Sequence, residues 1–105
     1  MIVTAWNNSE HHQTGAGYGL QVNAEDRARN FKKEWEKVLI RFPDRSDWIE
    51  ANIAKKSFWA NRCGELINKE IGKWFLKRGL APWPKGHPPK FELEQMEANK
   101  FKLIG

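Results

Sequence analysis

The sequence predicts one α+β domain over residues 1–105, in which a small, mainly antiparallel twisted sheet or open barrel is covered by one long amphipathic helix. Two observations support this: several short segments alternate apolar and polar residues as strands do, and one segment places apolar residues at helical spacing. The expected element order is β-β-α-β-β-α-β-β. Because strands and crossover helices do not alternate throughout, a doubly wound parallel fold is not expected. A length of 105 residues fits a single domain.

The first third of the chain predicts two strands and a short helix. Strands are expected at 2–6 and 18–22, on either side of a polar, glycine-rich loop. Asn23 precedes an acidic first turn, which is typical of a helix N-cap, so a helix is predicted over 24–32. A competing interpretation extends the following strand back to Phe31, because apolar and charged residues also alternate from that position.

A hairpin is predicted over 37–53. Pro43 to Asp47 supply the residues typical of a turn between its two strands. The inner faces of these strands are expected to carry Val38, Ile40 and Phe42 on the first, and Ile49, Ala51 and Ile53 on the second.

A second hairpin is predicted at the C-terminus. Pairing Leu93 with Leu103 sets Glu94 opposite Lys102, where opposite charges favour the register. This register leaves the three-residue loop 97–99, in which the last residue, an asparagine, is expected to adopt the left-handed conformation.

One long helix is predicted over 58–78. Its apolar residues recur every three or four positions along one stripe: Trp59, Cys63, Leu66, Ile67, Ile71, Trp74 and Phe75. Ser57 is the predicted N-cap, and Gly79 marks the end. Gly64 and Gly72 each cost about 1 kcal/mol relative to alanine in a helix, which indicates close approach of another backbone.

Composition argues against a disordered, membrane-spanning or disulfide-linked protein. An apolar content of 40% and an aromatic content of 12% argue against disorder. No apolar run approaches the roughly 20 residues of a membrane span, and the first residues lack the basic flank of a signal peptide, so no membrane partner is expected. The single cysteine, Cys63, cannot form an internal disulfide, so a cytoplasmic location is expected and the thiol is interpreted as a small core residue.

Positive charge is concentrated in one third of the chain. The net charge is +5, whereas the segment 55–90 alone has a charge of +7. A local positive field favours polyanions, so we predict that this segment binds nucleic acid through phosphate contacts and aromatic stacking. The predicted binding residues are Lys69, Lys73, Lys77, Trp83, Lys85, His87 and Lys90. The alternative is that these lysines only solvate the helix and that Trp83 packs on the core.

The loop between the first two strands contains the candidate catalytic residues Glu10, His11 and His12. A histidine titrates near neutral pH and can transfer protons, and the neighbouring glycines allow a ligand to approach the backbone. Adjacent histidines on an extended chain point to opposite sides, and their spacing is not that of a zinc site, so neither a metal nor a cofactor is expected. The alternative is a hairpin connection whose glycines supply positive φ angles.

These features support one leading function and two alternatives. The leading hypothesis is a small basic nucleic-acid-binding domain that favours RNA or single-stranded DNA, because no recognition helix for a major groove is evident. The alternatives are a protein-interaction or accessory subunit, including a homo-oligomer, and a metal-independent phosphodiesterase that uses the His11–His12 loop. Convergence of that loop with the Lys85–His87 segment would create one composite site.

Overall fold

The structure, a computed structural model that describes residues 1–105, contains seven strands and three short helices. The strands are β1 (Ile2–Asn7), β2 (Tyr18–Asn23), β3 (Lys37–Arg41), β4 (Ile49–Asn52), β5 (Cys63–Ile67), β6 (Lys90–Glu97) and β7 (Lys100–Ile104). The helices are α1 (Ala24–Asn30), α2 (Lys56–Ala60) and α3 (Lys69–Lys77). The predicted α+β class is confirmed.

The seven strands form one sheet that nearly closes into a barrel. Its strand order is β4-β3-β7-β6-β1-β2-β5, and every neighbouring pair is antiparallel except β3 and β7, which are parallel. The edge strands β4 and β5 meet where the Asn68 side-chain amide donates to the Glu50 carbonyl oxygen at 2.6 Å. The mainly antiparallel sheet of open-barrel form is confirmed, whereas the sequence does not predict the parallel pair.

The prediction of a single long helix over 58–78 is wrong. α2, β5 and α3 replace it, which gives the order β-β-α-β-β-α-β-α-β-β. The apolar spacing in this segment fits a strand as well as a helix, and pairing with β2 satisfies the β5 backbone while Leu66 enters the core. Gly64 suits this strand because a Cβ there would lie 2.7 Å from the Phe58 ring. Cys63 is half-buried on β5, so its assignment to the buried core is also wrong.

The ends of the helices agree only in part with the prediction. Ser57 lies inside α2, whose N-cap is Lys55, so its assignment as a cap is wrong. Asn68 caps α3 and accepts a hydrogen bond from the Glu70 amide at 2.8 Å. Gly79 ends α3 as predicted, with a φ of +70°. α3 is the longest helix with nine residues, and none of the three is long and apolar enough to cross a membrane.

The first third of the chain follows the prediction. β1 and β2 flank the polar loop, and the Asn23 side chain caps α1 by accepting a hydrogen bond from the Asp26 amide at 2.8 Å. α1 ends at Asn30, and Phe31 then turns into the core with 5% of its surface exposed. The competing interpretation, in which a strand begins at Phe31, is wrong because β3 starts only at Lys37.

Both predicted hairpins form. β3 pairs with β4, and all the predicted inner-face residues are buried: Val38, Ile40, Phe42, Ile49, Ala51 and Ile53. In the second hairpin, β6 pairs with β7 in the predicted register, with Leu93 opposite Leu103 and Glu94 opposite Lys102.

The loop of the second hairpin differs from the prediction. A bulge at Met96 lets Glu97 pair with Lys100, which shortens the loop to two residues. Ala98, with a φ of +47°, therefore takes the left-handed conformation predicted for Asn99. The Asn99 side chain instead donates to the Lys37 carbonyl oxygen at 2.9 Å and ties the loop to β3.

Aromatic side chains fill both ends of the barrel. At the end covered by α3, the Trp74 ring meets Phe42 and Phe91 edge-on, with centroids 5.0 and 5.6 Å away. At the opposite end, Phe31 stacks on Phe101 with centroids 5.0 Å apart. These buried rings form one continuous core with the inner faces of the strands.

Substitution of Gly72 in α3 tests how closely the β1–β2 loop packs on this helix. A Cβ at position 72 would lie 2.1 Å from the Gly15 carbonyl oxygen. We expect Gly72→Ala to lower the free energy of unfolding by about 3 kcal/mol, because the overlap exceeds the helix-propensity gain of about 1 kcal/mol. Denaturant unfolding measures this loss.

Gly79→Ala is the matched control, because nothing lies within 4 Å of a Cβ there. That substitution is disfavoured only by the left-handed backbone conformation of Gly79, so we expect the free energy of unfolding to fall by about 1 kcal/mol. Equal losses in the two variants would contradict a close contact between α3 and the loop.

Candidate nucleic-acid interface

α3 presents three of the predicted phosphate-binding residues along one line. Its buried side consists of Ile71, Gly72, Trp74 and Phe75. Lys69, Lys73 and Lys77 follow one another at intervals of four residues, so they lie close together on the exposed side. We call these three residues the lysine ridge.

Most of the cations in the 55–90 segment lack an acidic partner. Of its nine lysines and arginines, only Lys73 and Arg78 form ion pairs. Lys73 lies 2.9 Å from a Glu70 carboxylate oxygen, and Arg78 pairs with Asp44. Two members of the lysine ridge, the first and the last, therefore keep an uncompensated charge.

The cations of this segment do not all lie on one surface. α2 and Arg62 precede β5, whereas the lysine ridge follows it. Five strand residues place these two groups about 13 Å apart along the strand. Lys55, Lys56 and Arg62 therefore belong to the end of the barrel opposite α3.

The segment after α3 holds the remaining predicted binding residues. Trp83 is half-buried, and its ring contacts Tyr18 and Phe75 edge-on at centroid distances of 5.8 and 5.9 Å. Beyond it, the His87 amide donates to the Pro84 carbonyl oxygen at 2.9 Å in a tight turn, which leaves Lys85 and His87 exposed. Lys90 begins β6 and is exposed opposite Thr4 of β1.

The loop over residues 8–17, which we call the histidine loop, is a compact hairpin connection. The Asn8 amide donates to the Gly17 carbonyl oxygen, and the His12 amide donates to the Ala16 carbonyl oxygen, each at 2.9 Å. Gly15 and Gly17 have φ angles of +96° and +81°, as the hairpin interpretation predicts. Contact between Gly15 and α3 then brings the loop beside the lysine ridge.

Hydrogen bonds orient both histidines. The Tyr18 hydroxyl lies 3.2 Å from His11 Nδ1, and the Thr14 amide donates to His12 Nδ1 at 3.1 Å. Burial raises the pKa of the Tyr18 phenol, so this group stays protonated and can donate to His11. The Thr14 amide therefore fixes the proton of neutral His12 on Nε2, whereas His11 Nδ1 can accept from the Tyr18 hydroxyl or donate to it. Glu10 forms no hydrogen bond or ion pair with either histidine, so the structure does not bring this candidate to the pair.

The histidine loop, the end of α3 and Pro82 meet around a cleft of about 360 Å³, and the Lys85–His87 turn is not part of its lining. We call it the histidine cleft, and its lining residues are His11, His12, Gln13, Tyr18, Leu76 and Pro82. Both candidate histidines therefore face one cavity, which the expectation from an extended chain did not foresee. The sequence contains no sign that Leu76 and Pro82 would be site residues, because only the fold brings them to the loop.

A second cleft of about 300 Å³ lies on the other side of the lysine ridge. We call it the arginine cleft, and it is lined by Asp44, Arg45, Glu70, Lys73, Trp74 and Lys77. Arg45 reaches it from the β3–β4 turn and lies 2.6 Å from an Asp47 oxygen and 3.3 Å from a Glu70 oxygen. The hydrogen bond from Arg45 lowers the pKa of the Asp47 carboxyl. The sequence placed Arg45 in a turn and gave no signal that it would join α3.

Comparison with known proteins supplies no relative from which a function could be inferred. No protein-family model matches the chain, and no match was found among curated proteins or solved structures. The two clefts and the lysine ridge must therefore be interpreted from their own chemistry.

Glu70 gives the arginine cleft a pH dependence. The hydrogen bond from Lys73, followed by that from Arg45, lowers the pKa of Glu70 below its usual 4.5. Ionised Glu70 therefore stabilises the fold above the pKa of the unfolded chain, and this contribution is lost as the pH falls through the lowered folded-state value. We expect Glu70→Gln to cost less than about 1 kcal/mol at pH 7, because both ion pairs are partly exposed. Thermal unfolding between pH 7 and pH 3 should show the cost shrinking below pH 4.5.

Glu34→Gln is the control, because Glu34 is exposed and has no ion pair. Its unfolding temperature should match that of the wild-type protein at every pH. A cost for Glu70→Gln that does not change with pH would show that the two ion pairs do not stabilise the folded protein.

Proposed function

We propose that the protein binds single-stranded nucleic acid across the end of the barrel formed by α3, the histidine loop and the segment after α3. The observation that supports this most directly is the uncompensated charge of Lys69 and Lys77 between two clefts. A cation that already has an acidic partner gains little binding free energy from a phosphate. A free ammonium group that neutralises a phosphate releases the counterions condensed on the strand, which favours binding.

The shape of the surface favours a single strand over a duplex. α3 has only nine residues, and its ends are held by the Asn68 cap and by the turn at Gly79, so it does not project as a recognition helix would. A single strand can instead follow the lysine ridge with its phosphates and turn a base into a neighbouring cleft.

The histidine cleft has the chemistry of a base subsite. Leu76 and Pro82 supply apolar surface, while the Gln13 amide and the imidazoles of His11 and His12 can hydrogen-bond to base edges. Its volume of about 360 Å³ is at the small end of the range, about 300 to 1,000 Å³, that is common for small-molecule sites. The turn with Lys85 and His87 follows Pro82 along the chain and is exposed, but neither residue lines the cleft.

The salt dependence of binding tests this proposal. We expect wild-type protein to bind a fluorescent single-stranded RNA or DNA oligonucleotide at low salt, with an affinity that falls as salt rises. The double variant Lys69→Gln and Lys77→Gln should bind more weakly, and the slope of log affinity against log salt should lose about 1.4 in magnitude, about 0.7 per phosphate contact. Fluorescence anisotropy over a salt series measures both effects.

The double variant Lys55→Gln and Lys56→Gln is the matched control, because it removes the same charge from the opposite end of β5. Its slope should remain at the wild-type value. Equal losses from both ends would indicate diffuse attraction to a basic protein, and absence of binding at low salt would exclude the proposed function. Salt-resistant self-association without nucleic-acid affinity would instead favour an interaction subunit.

Phosphodiester cleavage is a second candidate function, and it is favoured by the two histidines in one cleft. In RNA, neutral His11, with its own proton on Nδ1 toward the Tyr18 hydroxyl, would accept the 2′-hydroxyl proton at Nε2 as that oxygen attacks phosphorus. Protonated His12 would donate its Nε2 proton to the leaving 5′-oxygen. Incubation with an RNA strand and with its DNA counterpart tests this step. RNA-only cleavage that is lost in both His11→Ala and His12→Ala would support it, whereas intact RNA would leave binding alone.

A further inference from the structure

We propose that the arginine cleft binds the terminal phosphate monoester of a strand that lies on the lysine ridge. This inference rests on the proposed function, because it assigns one end of the bound strand to a particular cleft. Phosphate binding by the cleft itself can nevertheless be measured without any oligonucleotide.

One residue that lines this cleft has a buried hydrogen-bond donor without an acceptor. Trp74 lines it with only 4% of its surface exposed, and its indole Nε1–H has no hydrogen-bond partner. It is the only buried side-chain nitrogen or oxygen in the protein that lacks a partner. Such a group destabilises the fold while it stays unpaired, and a ligand oxygen would satisfy it. Trp59, by contrast, donates its Nε1–H to the Ile53 carbonyl oxygen at 2.9 Å.

The side chains around the indole suit an oxyanion. Arg45, Lys73 and Lys77 converge on the cleft from two elements, and the Arg78 guanidinium lies 4.6 Å from the centre of the Trp74 ring. A guanidinium and ammonium groups bind phosphate oxygens through charge-assisted hydrogen bonds. Because the Nε1–H is buried and Arg78 packs on the ring, a bound oxygen would reach the donor only after the surrounding side chains, Arg78 among them, move aside.

The acidic residues of the cleft favour a doubly charged group. Asp44, Asp47 and Glu70 already pair with Arg78, Arg45 and Lys73, so an incoming anion must compete with three carboxylates. A phosphate monoester carries nearly two negative charges at pH 7, whereas each internal diester of a strand carries one. The monoester therefore competes better, and the cleft is expected to bind the end of a strand rather than its middle.

The indole N–H signals in a two-dimensional NMR spectrum report directly on this cleft. We expect titration with inorganic phosphate to move the Trp74 indole signal downfield in a saturable way, because Nε1–H gains an acceptor. The signal is assigned by its loss in Trp74→Phe, and the Trp59 signal is the internal control. A Trp74 signal that stays still at saturating phosphate would overturn the proposal.

Two variants test the charges of the cleft without touching the core. Arg45→Met should weaken phosphate binding about tenfold, which is the effect of losing one hydrogen bond to a charged group. Glu70→Gln should strengthen it severalfold, because the substitution frees Lys73 and removes one of the two carboxylates that pair with Arg45. Unchanged affinity in Arg45→Met would exclude the site even if Trp74→Phe failed to fold.

Oligonucleotides of one sequence with a 5′-phosphate, a 3′-phosphate or no terminal phosphate separate the two proposals. Tighter binding of one phosphorylated form, lost in Arg45→Met, supports the terminal-phosphate site. Equal binding of all three forms overturns that site and leaves the proposed function standing. If inorganic phosphate binds in an Arg45-dependent way and no strand binds, the cleft is a phosphate site and the proposed function is wrong.

Discussion

The contact between Gly15 and Gly72 is the constraint on which the candidate interface depends. Neither position tolerates a side chain, because a Cβ at Gly15 would lie 2.2 Å from the Lys69 carbonyl oxygen and one at Gly72 would lie 2.1 Å from the Gly15 carbonyl oxygen. The backbone of the histidine loop therefore lies directly on α3. This approach places His11 and His12 beside the lysine ridge, so one steric requirement forms the histidine cleft and sets its distance from the cations.

Asn68 couples the helix that carries the lysines to the closure of the barrel. Its side-chain oxygen accepts from the Glu70 amide and begins α3, while its side-chain nitrogen donates to the Glu50 carbonyl oxygen on β4. One residue thus ends β5, starts the helix and joins the two edge strands. The buried Trp74 and Phe75 then close the same end of the barrel. These contacts fix the position of α3 and of the lysine ridge, so the proposed binding of a strand would not require the helix to move.

Residues that act locally were predictable, and residues brought together by distant pairing were not. The Asn23 cap, the turn between β3 and β4 and the register of β6 with β7 follow from neighbours in the chain. The 58–78 segment failed because its apolar residues fit both helical and strand spacing, and only pairing with β2 decides between the two. The close approach of another backbone predicted from the two glycines is found at Gly72, which stays in helix α3 and meets Gly15, whereas Gly64 lies in β5 and meets the Phe58 side chain. The same error merged the cations of α2 with those of α3.

In the proposed complex, the unpaired lysines of the ridge would provide affinity for any strand, whereas the arginine cleft would select among anions. In the proposed complex, Lys69 and Lys77 would attract any strand because they have no acidic partner, and their contribution would weaken with salt. Arg45 and Lys73 already share Glu70, so a ligand in the arginine cleft gains only the difference between its own contacts and those it displaces. A weakly charged group would gain almost no binding free energy by displacing the carboxylates from these cations. A dianion would gain binding free energy from the cations and also from the hydrogen bond to the Trp74 indole. Acidic residues in a basic surface therefore sharpen the choice of anion, and they do so at the cost of binding strength.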